Sequence, residues 1–572
     1  FAGSFDDFYF DFSGDKYADI NYGRFPARDK SEVLNYLKKV IDYETNKFFS
    51  DWKNRVLLVA DDFVNGSSTC ESSWHLIPSN IIQKLFIPRN VVVNHVYMHE
   101  YPLEGGKKPL ANQDFINKFN NGYILINIFS HGNPSQIASE QLFSLSDIDK
   151  LNAYNKPPFV LILSCKTNVF DRVDGDLAGP KGLGESMITK SNGAIGVLSS
   201  TALSFVGGNV AYAQDIFQTL KTNKKFPMGY ISRMGKNNWY YVLFGDPSVM
   251  IGYPTIDNNL QFPDTAFVGG IYKGSFLESR SYSASVSLIP TEYPVADNTC
   301  FPPQTFNILE PHKILYRAFV NSDSLKLYIP KDLDPNRRLQ VRGIYNYANK
   351  FKDSIMIGFK SELIEVDTIG PSLKLLYYSN EVSDSSKFMP KVKFTLWASD
   401  EHGIYLSPGY RDVEVYIDDR EVIKLTDRFS YEPNSLTTGS ADFDLDFSNN
   451  QGWHKITLRA FDTYNNFSSK DYILNFSDGN LNISDFLIYP NPYKFGPLYL
   501  TFYSNSQANA QFKIYSINGD LVYLSPKLTI NVGFNVLKWD VNSIGSGLYI
   551  ALLEVEREKE KFKFKKKFVV VK

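Results

Sequence analysis

Short apolar runs bounded by polar turns alternate with amphipathic stretches over the first 254 residues. Apolar runs this short are typical of strands that are buried on both faces. The alternation of such strands with helices predicts a mostly parallel sheet covered by helices. The clearest predicted strands are residues 55–60 (RVLLVA), 90–96, 123–130 (YILINIFS), 159–164 (FVLILS) and 193–199.

One helix is predicted before the first of these strands, at residues 31–43 (SEVLNYLKKVIDY). Ser31 is suited to the N-cap position, because its side chain can accept from the first free backbone N–H groups. The spacing of the apolar residues predicts an amphipathic helix. Its apolar face is formed by Val33, Leu34, Leu37, Val40 and Ile41.

After residue 254 the helical periodicity nearly vanishes. Short alternating strands recur every 8–12 residues or so, which is typical of sandwiches. We therefore expect a multidomain chain of the α/β plus all-β class, in which a mostly parallel α/β domain precedes three small β-sandwich-like domains. The predicted boundaries are 1–254 for the α/β domain and 255–366, 367–480 and 481–572 for the β domains.

Composition and charge narrow the function classes. The 572 residues are 43% hydrophobic and 21% charged, which is typical of a chain that buries real cores. The net charge of −2 gives no field that favours nucleic acid or a membrane surface. The longest apolar runs fall far short of the ~18 residues that a spanning helix needs. The chain starts at Phe1 without a basic and then apolar segment, so we expect no signal peptide within it.

Reactive residues follow two of the predicted strands. His131 comes directly after residues 123–130, and Cys165 comes directly after residues 159–164. Because ligands of open α/β sheets bind beyond the carboxyl ends of the strands, the two side chains meet there if the strands are neighbours. An imidazole beside a thiol activates it as a nucleophile. We therefore predict Cys165 as nucleophile, His131 as base and the Gly132 N–H as an oxyanion donor.

The alternative for each residue alone is structural, because a cysteine that ends an apolar strand is usually a buried inert thiol. The pairing of two strand ends favours chemistry. With Cys70 and Cys300 the chain has three cysteines, too few for a disulfide framework, and their odd number leaves at least one thiol free.

Five segments of the first 254 residues resemble the gingipain-type cysteine peptidases of the caspase-like clan. They are residues 19–28 (DINYGRFPAR), 40–44 (VIDYE), the two strand ends at His131-Gly132 and Cys165, and residues 244–248 (FGDPS). The resemblance implies a caspase-like fold with His131 as general base and Cys165 as nucleophile. It requires no cofactor and no metal at the site, and it is compatible with a structural calcium ion.

Other segments resemble the PorU-type sortase family of the bacterial type IX secretion system. They are residues 165–171 (CKTNVFD), 329–332 (IPKD), 400–404 (DEHGI), 452–462 (GWHKITLRAFD) and 489–492 (YPNP). The resemblance implies a cysteine endopeptidase and transpeptidase at the extracellular face of the outer membrane. Its implied partners are the C-terminal sorting domains of secreted cargo, a PorV-like barrel with other attachment-complex proteins, and a lipopolysaccharide acceptor, with no nucleic acid and no transmembrane segment of its own.

The chain departs from the family pattern at Ser130, where the family has glycine, and at Lys166, where an acidic residue is common. The long N-terminal part expected of the family is not in this chain. The resemblance assigns the carboxylate that orients the histidine to Asp62, after the strand at residues 55–60. It places the specificity pocket near Ser73, with Glu71 on the same face of a strand. Because Ser73 cannot pair with a guanidinium, we expect small or uncharged residues before the cut.

Two alternatives to the sortase stay open. One is a secreted gingipain-like protease whose last module is its own sorting domain, for which residues 489–492 and the lysine-rich end are suitable. The other is a non-catalytic surface scaffold that kept the fold. The lysine-rich stretch 561–567 alternates with phenylalanine, which predicts an edge strand guarded by lysines.

Overall fold

The computed structural model describes residues 6–571 apart from residues 16, 46–49, 64–69, 172, 175–176, 224, 235–239, 346–347, 359–366, 378, 408–410, 478–482, 505–507, 531–532, 542–543 and 558–559. The first part is mixed α/β, and the larger remainder is built from β-strands. Among the described residues, every helix is too short or too polar to cross a bilayer.

The described residues of the first part form six α-helices and thirteen strands. The helices are α1 Asp7–Phe10, α2 Lys30–Glu44, α3 Leu76–Ile81, α4 Pro109–Asn121, α5 Leu183–Thr189 and α6 Val206–Asn223. The strands are β1 Arg55–Ala60, β2 Val92–Tyr97, β3 Leu125–Phe129, β4 Gly132–Asn133, β5 Gln136–Ile137, β6 Phe143–Ser144, β7 Phe159–Leu163, β8 Val173–Asp174, β9 Leu177–Ala178, β10 Gly196–Ser200, β11 Lys225–Pro227, β12 Tyr241–Phe244 and β13 Met250–Gly252.

A six-stranded sheet in the order β12-β10-β7-β3-β1-β2 forms the centre of this part. Its pairs are parallel except for the antiparallel pair of β10 and β12. Every residue of β1 is buried, and its side chains alternate between two cores, with Val56 and Leu58 on one face and Leu57 and Val59 on the other. The predicted mostly parallel sheet with apolar strands is confirmed.

Helix α2 differs from its prediction. It begins at Lys30, and its N-cap is Asp29, whose side chain accepts from the backbone N–H groups of Ser31 and Glu32. The apolar stripe of Val33, Leu34, Leu37 and Ile41 lies largely exposed. The helix is fixed through polar ends of buried side chains instead, because the Tyr36 hydroxyl donates to the Ile195 carbonyl and the Lys39 ammonium donates to the Ile188 carbonyl.

Twenty described strands lie between residues 255 and 476, and most of them form two larger sheets that share one core. They are β14 Thr255–Asp257, β15 Thr265–Phe267, β16 Ile271–Ser275, β17 Tyr282–Leu288, β18 Glu292–Asp297, β19 Gln304–Leu309, β20 Ile314–Val320, β21 Ser324–Tyr328, β22 Arg338–Tyr345, β23 Ala348–Gly358, β24 Ser372–Tyr377, β25 Asn380–Glu381, β26 Lys387–Phe388, β27 Lys391–Ser399, β28 Glu414–Ile417, β29 Glu421–Lys424, β30 Ser430–Tyr431, β31 Thr438–Asp446, β32 Gly452–Phe461 and β33 Phe467–Phe476.

An eleven-stranded sheet runs from β14 to β25 through the second and third predicted domains. The two regions meet where Ala318 of β20 pairs with Tyr431 of β30. A five-stranded sheet in the order β26-β33-β32-β28-β29 packs in the same hydrophobic core. The boundary predicted at residue 366 lies outside the described residues, and so does the one at 480.

The last part has its own core between two sheets. Its strands are β34 Ile483–Tyr489, β35 Pro497–Ser504, β36 Ala508–Ser516, β37 Leu521–Leu524, β38 Leu528–Ile530, β39 Gly533–Asp540, β40 Gly547–Arg557 and β41 Glu560–Val570. The predicted lysine-rich edge strand is confirmed, because β41 lies at the end of the order β37-β36-β40-β41.

One hairpin of the β-rich part packs on the α/β part. Strands β18 and β19 pair only with each other among the described strands, and Val295 and Ile308 from them lie in the core of the central sheet. The Asn80 side chain of α3 donates to the Asn307 carbonyl at 3.1 Å and accepts from the Leu309 N–H at 2.9 Å. This hairpin reaches the predicted active site, as described next.

Candidate active site

The sheet places the two predicted reactive residues at one edge. Strands β3 and β7 are parallel neighbours, and Phe129 pairs with Leu163 at their carboxyl ends. His131 and Cys165 each follow two residues later, so the backbone register carries both to the same level beyond the sheet. The prediction that the two strands are neighbours is confirmed.

A buried carboxylate fixes the end of the histidine strand. The Asp61 side chain accepts from the Ser130 hydroxyl at 2.8 Å and from the His131 backbone N–H at 3.0 Å. Burial raises the pKa of Asp61 to about 6, against the hydrogen bonds from Ser130 and His131. Ser130, which stands where the family has glycine, therefore supplies one of the bonds that fix the strand end.

Glu71 provides the carboxylate that contacts the imidazole. Its Oε2 lies 3.2 Å from His131 Nε2, and its side chain is 1% exposed. A carboxylate only accepts, so this contact places a proton on Nε2 and leaves the lone pair of the neutral ring on Nδ1. The resemblance assigned this role to Asp62, and the structure corrects that assignment, because the Asp62 carboxylate forms a buried ion pair with Lys108 at 2.7 Å.

A disulfide and a short helix hold Glu71 in place. Cys70 is bonded to Cys300, which is 230 positions away and follows strand β18. The Thr299 hydroxyl accepts from the Cys70 N–H at 3.1 Å and donates to Asp297. Burial would raise the pKa of Asp297, but the hydrogen bonds from Thr299 hold it below the ordinary value. The hairpin of β18 and β19 therefore fastens the segment that bears Glu71.

The predicted specificity pocket takes a different form. Residues Glu71–Ser73 form a 3-10 helix rather than a strand, so Glu71 and Ser73 do not share a face. Glu71 is buried against His131, whereas Ser73 is exposed and its hydroxyl donates to the Cys70 carbonyl at 3.3 Å. Glu71 thus contacts His131 rather than lining a pocket. The preference for uncharged substrate residues before the scissile bond stays a prediction.

Cys165 carries the free thiol of the chain. Its Sγ accepts from the Ser204 backbone N–H at 3.4 Å, which places a donor where negative charge on sulfur is stabilised. The Ser204 hydroxyl accepts from the Asn209 side chain at 3.2 Å, and Asn209 in turn accepts from the buried Tyr241 hydroxyl at 2.8 Å. This chain of hydrogen bonds positions the loop before α6 against the thiol.

Two backbone features shape the turns after the strands. A Cβ on Gly132 would lie 2.7 Å from Ser164 Oγ, so only glycine permits this close approach of the two strand ends. Lys166 has a left-handed φ of 56°, and its N–H donates to the Ala202 carbonyl at 3.0 Å. Lys166, at a position that is often acidic in the family, thus turns the chain back along β10. The role of the Gly132 N–H as oxyanion donor stays a prediction.

His75 is a neighbour of the site that sequence patterns missed. Its ring lies edge-on to the His131 ring, with centroids 5.0 Å apart, and the residue is 4% exposed. Burial and the nearby His131 lower the pKa of His75 to about 3, so the ring is neutral at physiological pH. It lies just before α3, and its distance from both strand ends in the sequence hid this proximity.

An acidic cluster lies beside the histidine strand. Candidate ligand oxygens of Asp61, Asp62 and Glu140 lie within 4.8 Å of one another. Burial and the two aspartates raise the pKa of Glu140 to about 7. Oxygen donors of this kind suit calcium, although the Lys108 ammonium already pairs with Asp62. The structural calcium stays a prediction.

This arrangement supports attack by sulfur on a carbonyl carbon. The Nδ1 lone pair of His131 is available as base, and Glu71 stabilises the imidazolium that forms when the ring takes the thiol proton. Cys165 Sγ is hydrogen-bonded to Ser204 and His131 to Glu71, with no direct bond between the two reacting groups in the described structure. Such catalytic bonds often form only when substrate is bound.

Two protein-family models match the chain. Residues 3–252 match the model of peptidase family C25, and residues 487–571 match the model of the secretion system C-terminal sorting domain. No curated protein matches. The first match covers both reacting residues and Glu71, and the second covers most of the last part of the fold.

Solved structures show only distant likeness. A dimeric latent PorU from Porphyromonas gingivalis has 20% identity and a TM-score of 0.23 over 60% of this chain and 38% of its own. A Salmonella alpha-2-macroglobulin has 8% identity and a TM-score of 0.15 over 58% of this chain and 21% of its own. A three-domain titin fragment has 10% identity and a TM-score of 0.14 over 55% of this chain and 98% of its own. The chain thus spans 38% of the length of that PorU. The assignment therefore comes from the family models: the chain contains a peptidase family C25 domain at residues 3–252, which indicates a cysteine peptidase, and a secretion system C-terminal sorting domain at residues 487–571.

Proposed function

We propose that this chain is a sortase of the type IX secretion system. It removes the C-terminal sorting domain of secreted cargo at the extracellular face of the outer membrane. It then links the new carboxyl end of the cargo to an amine of surface lipopolysaccharide, working with a PorV-like barrel and other attachment-complex proteins. The sequence resemblance that continues beyond the peptidase domain, through residues 329–332, 400–404 and 452–462, carries this proposal.

The chemistry requires two covalent steps at Cys165. The sulfur attacks the scissile carbonyl as His131 takes the thiol proton, and the C–N bond breaks as His131 returns that proton to the leaving amine. An incoming amine then attacks the thioester and gives its proton to His131, and the thiolate leaves. Water in place of the amine gives hydrolysis. The exposed position of the strand-end edge, where the His131 side chain is 34% exposed, supports entry of either nucleophile.

The second candidate is a secreted gingipain-like protease that is itself cargo of the system. The sorting-domain match at residues 487–571 favours it, because such a domain marks a protein for export. The two candidates differ in the fate of this domain. A sortase retains it in the mature protein, whereas a cargo protease loses it. A non-catalytic scaffold is disfavoured by the presence of Cys165, His131 and Glu71 together.

The experiment is mass spectrometry of secreted proteins from cells that carry Cys165→Ala in place of the natural chain. We expect cargo with intact sorting domains and without attached lipopolysaccharide. A His99→Gln variant, which keeps the nucleophile and the disulfide, serves as the control for expression and export. Normal cargo processing in the Cys165→Ala cells would refute the sortase. Loss of residues 487–571 from the wild-type mature protein would identify it as cargo instead.

A further inference from the structure

Three potential metal ligands converge on the catalytic imidazole. One ligand atom from each of Glu71, His75 and His131 lies within 4.8 Å of the others. The Glu71 Oε2 to His131 Nε2 distance is 3.2 Å. Two atoms that each lie about 2.1 Å from a tetrahedral zinc ion are about 3.4 Å apart, so this pair already has the spacing of two zinc ligands.

Unpaired polar atoms lie in the same cluster. Glu71 Oε1 and His75 Nδ1 are both buried and have no hydrogen-bond partner among the described residues, and the two residues are 1% and 4% exposed. Leaving such atoms unpaired is costly, and a bound cation would compensate for it.

We propose that Glu71, His75 and His131 form an inhibitory binding site for a zinc-type divalent cation. Two imidazoles and one carboxylate are a donor set that zinc takes in proteins, with a fourth position left for water. Hard cations such as calcium and magnesium prefer oxygen ligands and are not expected to compete.

Metal binding at this site removes the base. A neutral imidazole has one lone pair, so a metal that binds Nε2 requires the ring proton to move from Nε2 to Nδ1, and the metal then occupies the lone pair. The ring then has no lone pair for the Cys165 proton, and Glu71 is withdrawn from stabilising an imidazolium. Inhibition is reversible by a chelator, because no covalent bond of the chain changes. This inference concerns the peptidase site itself and holds for a sortase or a protease.

The test measures zinc binding to the full chain by isothermal titration calorimetry. The Cys165→Ala background removes the free thiol as a competing ligand. We expect one zinc ion per chain in this background. The additional change His75→Gln removes a ligand and should weaken binding at least about tenfold, since even the loss of a group that only supports a ligand costs about that much. A dissociation constant that His75→Gln leaves unchanged would overturn the proposal.

A matched control comes from a second histidine of the same domain. His99 also has a buried unpartnered Nδ1, but it belongs to no group of three potential ligands among the described residues. We expect His99→Gln to leave zinc affinity unchanged, and circular dichroism to show that both variants are folded. In chains with Cys165, zinc inhibition of peptide cleavage, measured against each variant's own zinc-free rate, should weaken in His75→Gln and not in His99→Gln. Equal weakening in the two variants would contradict the assignment.

Discussion

The strand-end edge and the Glu71 segment are two regions of one candidate active site, and they are held by different kinds of structure. His131 and Cys165 follow neighbouring parallel strands, so the ladder between Phe129 and Leu163 fixes their relative level. Glu71 lies outside the sheet on a 3-10 helix. It is fixed through the preceding residue Cys70, which forms a disulfide with Cys300 and donates its N–H to the Thr299 hydroxyl. The first region depends on local strands, and the second depends on a hairpin from the β-rich part.

This structural difference separates the two candidate reacting residues, Cys165 and His131, from Glu71, which orients the imidazole and stabilises its charged form. The sheet edge is a rigid scaffold with every residue of β3 and β7 buried. The Glu71 segment depends on contacts that close over 230 positions of chain. Changes at the edge should therefore abolish the chemistry, whereas changes around the hairpin should weaken it by degrees.

The largest effect is expected at the nucleophile. Cys165→Ala should lower turnover of a peptide substrate by ~10⁴-fold or more, because no other group can form the acyl-enzyme. In the unchanged chain a peptidyl electrophile should label Cys165 alone, since Cys70 and Cys300 are joined in a disulfide. Peptide mapping by mass spectrometry measures the site of labelling. Labelling of Cys70 or Cys300 at an equal rate would remove the argument for an activated thiol.

The next effect distinguishes two carboxylates. Glu71→Gln removes the charge that stabilises the His131 imidazolium, and kcat should fall by about 10²-fold, the lower end of what acid–base catalysis contributes. Asp62→Asn instead breaks a buried ion pair with Lys108, which should lower the free energy of unfolding by about 3–5 kcal/mol. Per folded molecule its kcat should stay near the original value.

Steady-state kinetics together with denaturant unfolding separate the two results. A larger fall in kcat for Asp62→Asn than for Glu71→Gln would restore Asp62 to the orienting role that the resemblance gave it. The Glu71→Gln variant should unfold at nearly the same denaturant concentration as the unchanged chain.

The same contrast explains what the sequence could predict. The strands at residues 55–60 and 159–164 could be predicted because an apolar run between polar turns is a pattern of neighbouring residues in the sequence. The placement of His131 and Cys165 just beyond neighbouring strand ends followed from the parallel sheet alone. The contact of Glu71 with His131 was hidden, because it depends on a 3-10 helix and on a hairpin that is remote in sequence.

Helix α2 shows that a hydrophobic pattern can predict a helix correctly and still indicate the wrong buried face. Its period was correct, but the stripe of Leu34, Leu37 and Ile41 lies largely exposed. The face that packs is set by Tyr36 and Lys39, whose polar ends donate to the backbone carbonyls of Ile195 and Ile188 in the same domain. Hydrophobicity alone cannot reveal such contacts, since their partners are carbonyl groups that every residue carries.

A smaller effect is expected from the disulfide. The Cys70→Ser plus Cys300→Ser variant should lose about 2–5 kcal/mol in the free energy of unfolding. Its kcat should fall by less than about tenfold, because the Thr299 and Asn80 contacts still hold the hairpin near Glu71. Chemical denaturation and steady-state kinetics measure the two quantities.

A double-mutant cycle links this change to Glu71. Added to Glu71→Gln, the disulfide change should cause no further loss of kcat if its effect acts through that carboxylate. Independent, additive losses would show that the disulfide supports some other part of the site, and the comparison between the two regions would then fail.

The smallest effect is expected in the ratio of the cleavage rates of two reporter peptides, one alanyl and one arginyl. Burying the guanidinium of an arginine before the cut is costly unless a carboxylate meets it, and Glu71 is already bound to His131. We expect an alanyl reporter peptide to be cleaved better than an arginyl one, and Glu71→Gln to lower kcat/KM for both by the same factor. If Glu71 also lined the specificity pocket, Glu71→Gln would lower the arginyl rate more than the alanyl rate, and the ratio would shift.

Ser73→Asp provides the matched test, because a carboxylate at this exposed position should raise the arginyl rate alone if the pocket lies near Ser73. An unchanged ratio in Ser73→Asp would place the pocket elsewhere along the strand-end edge.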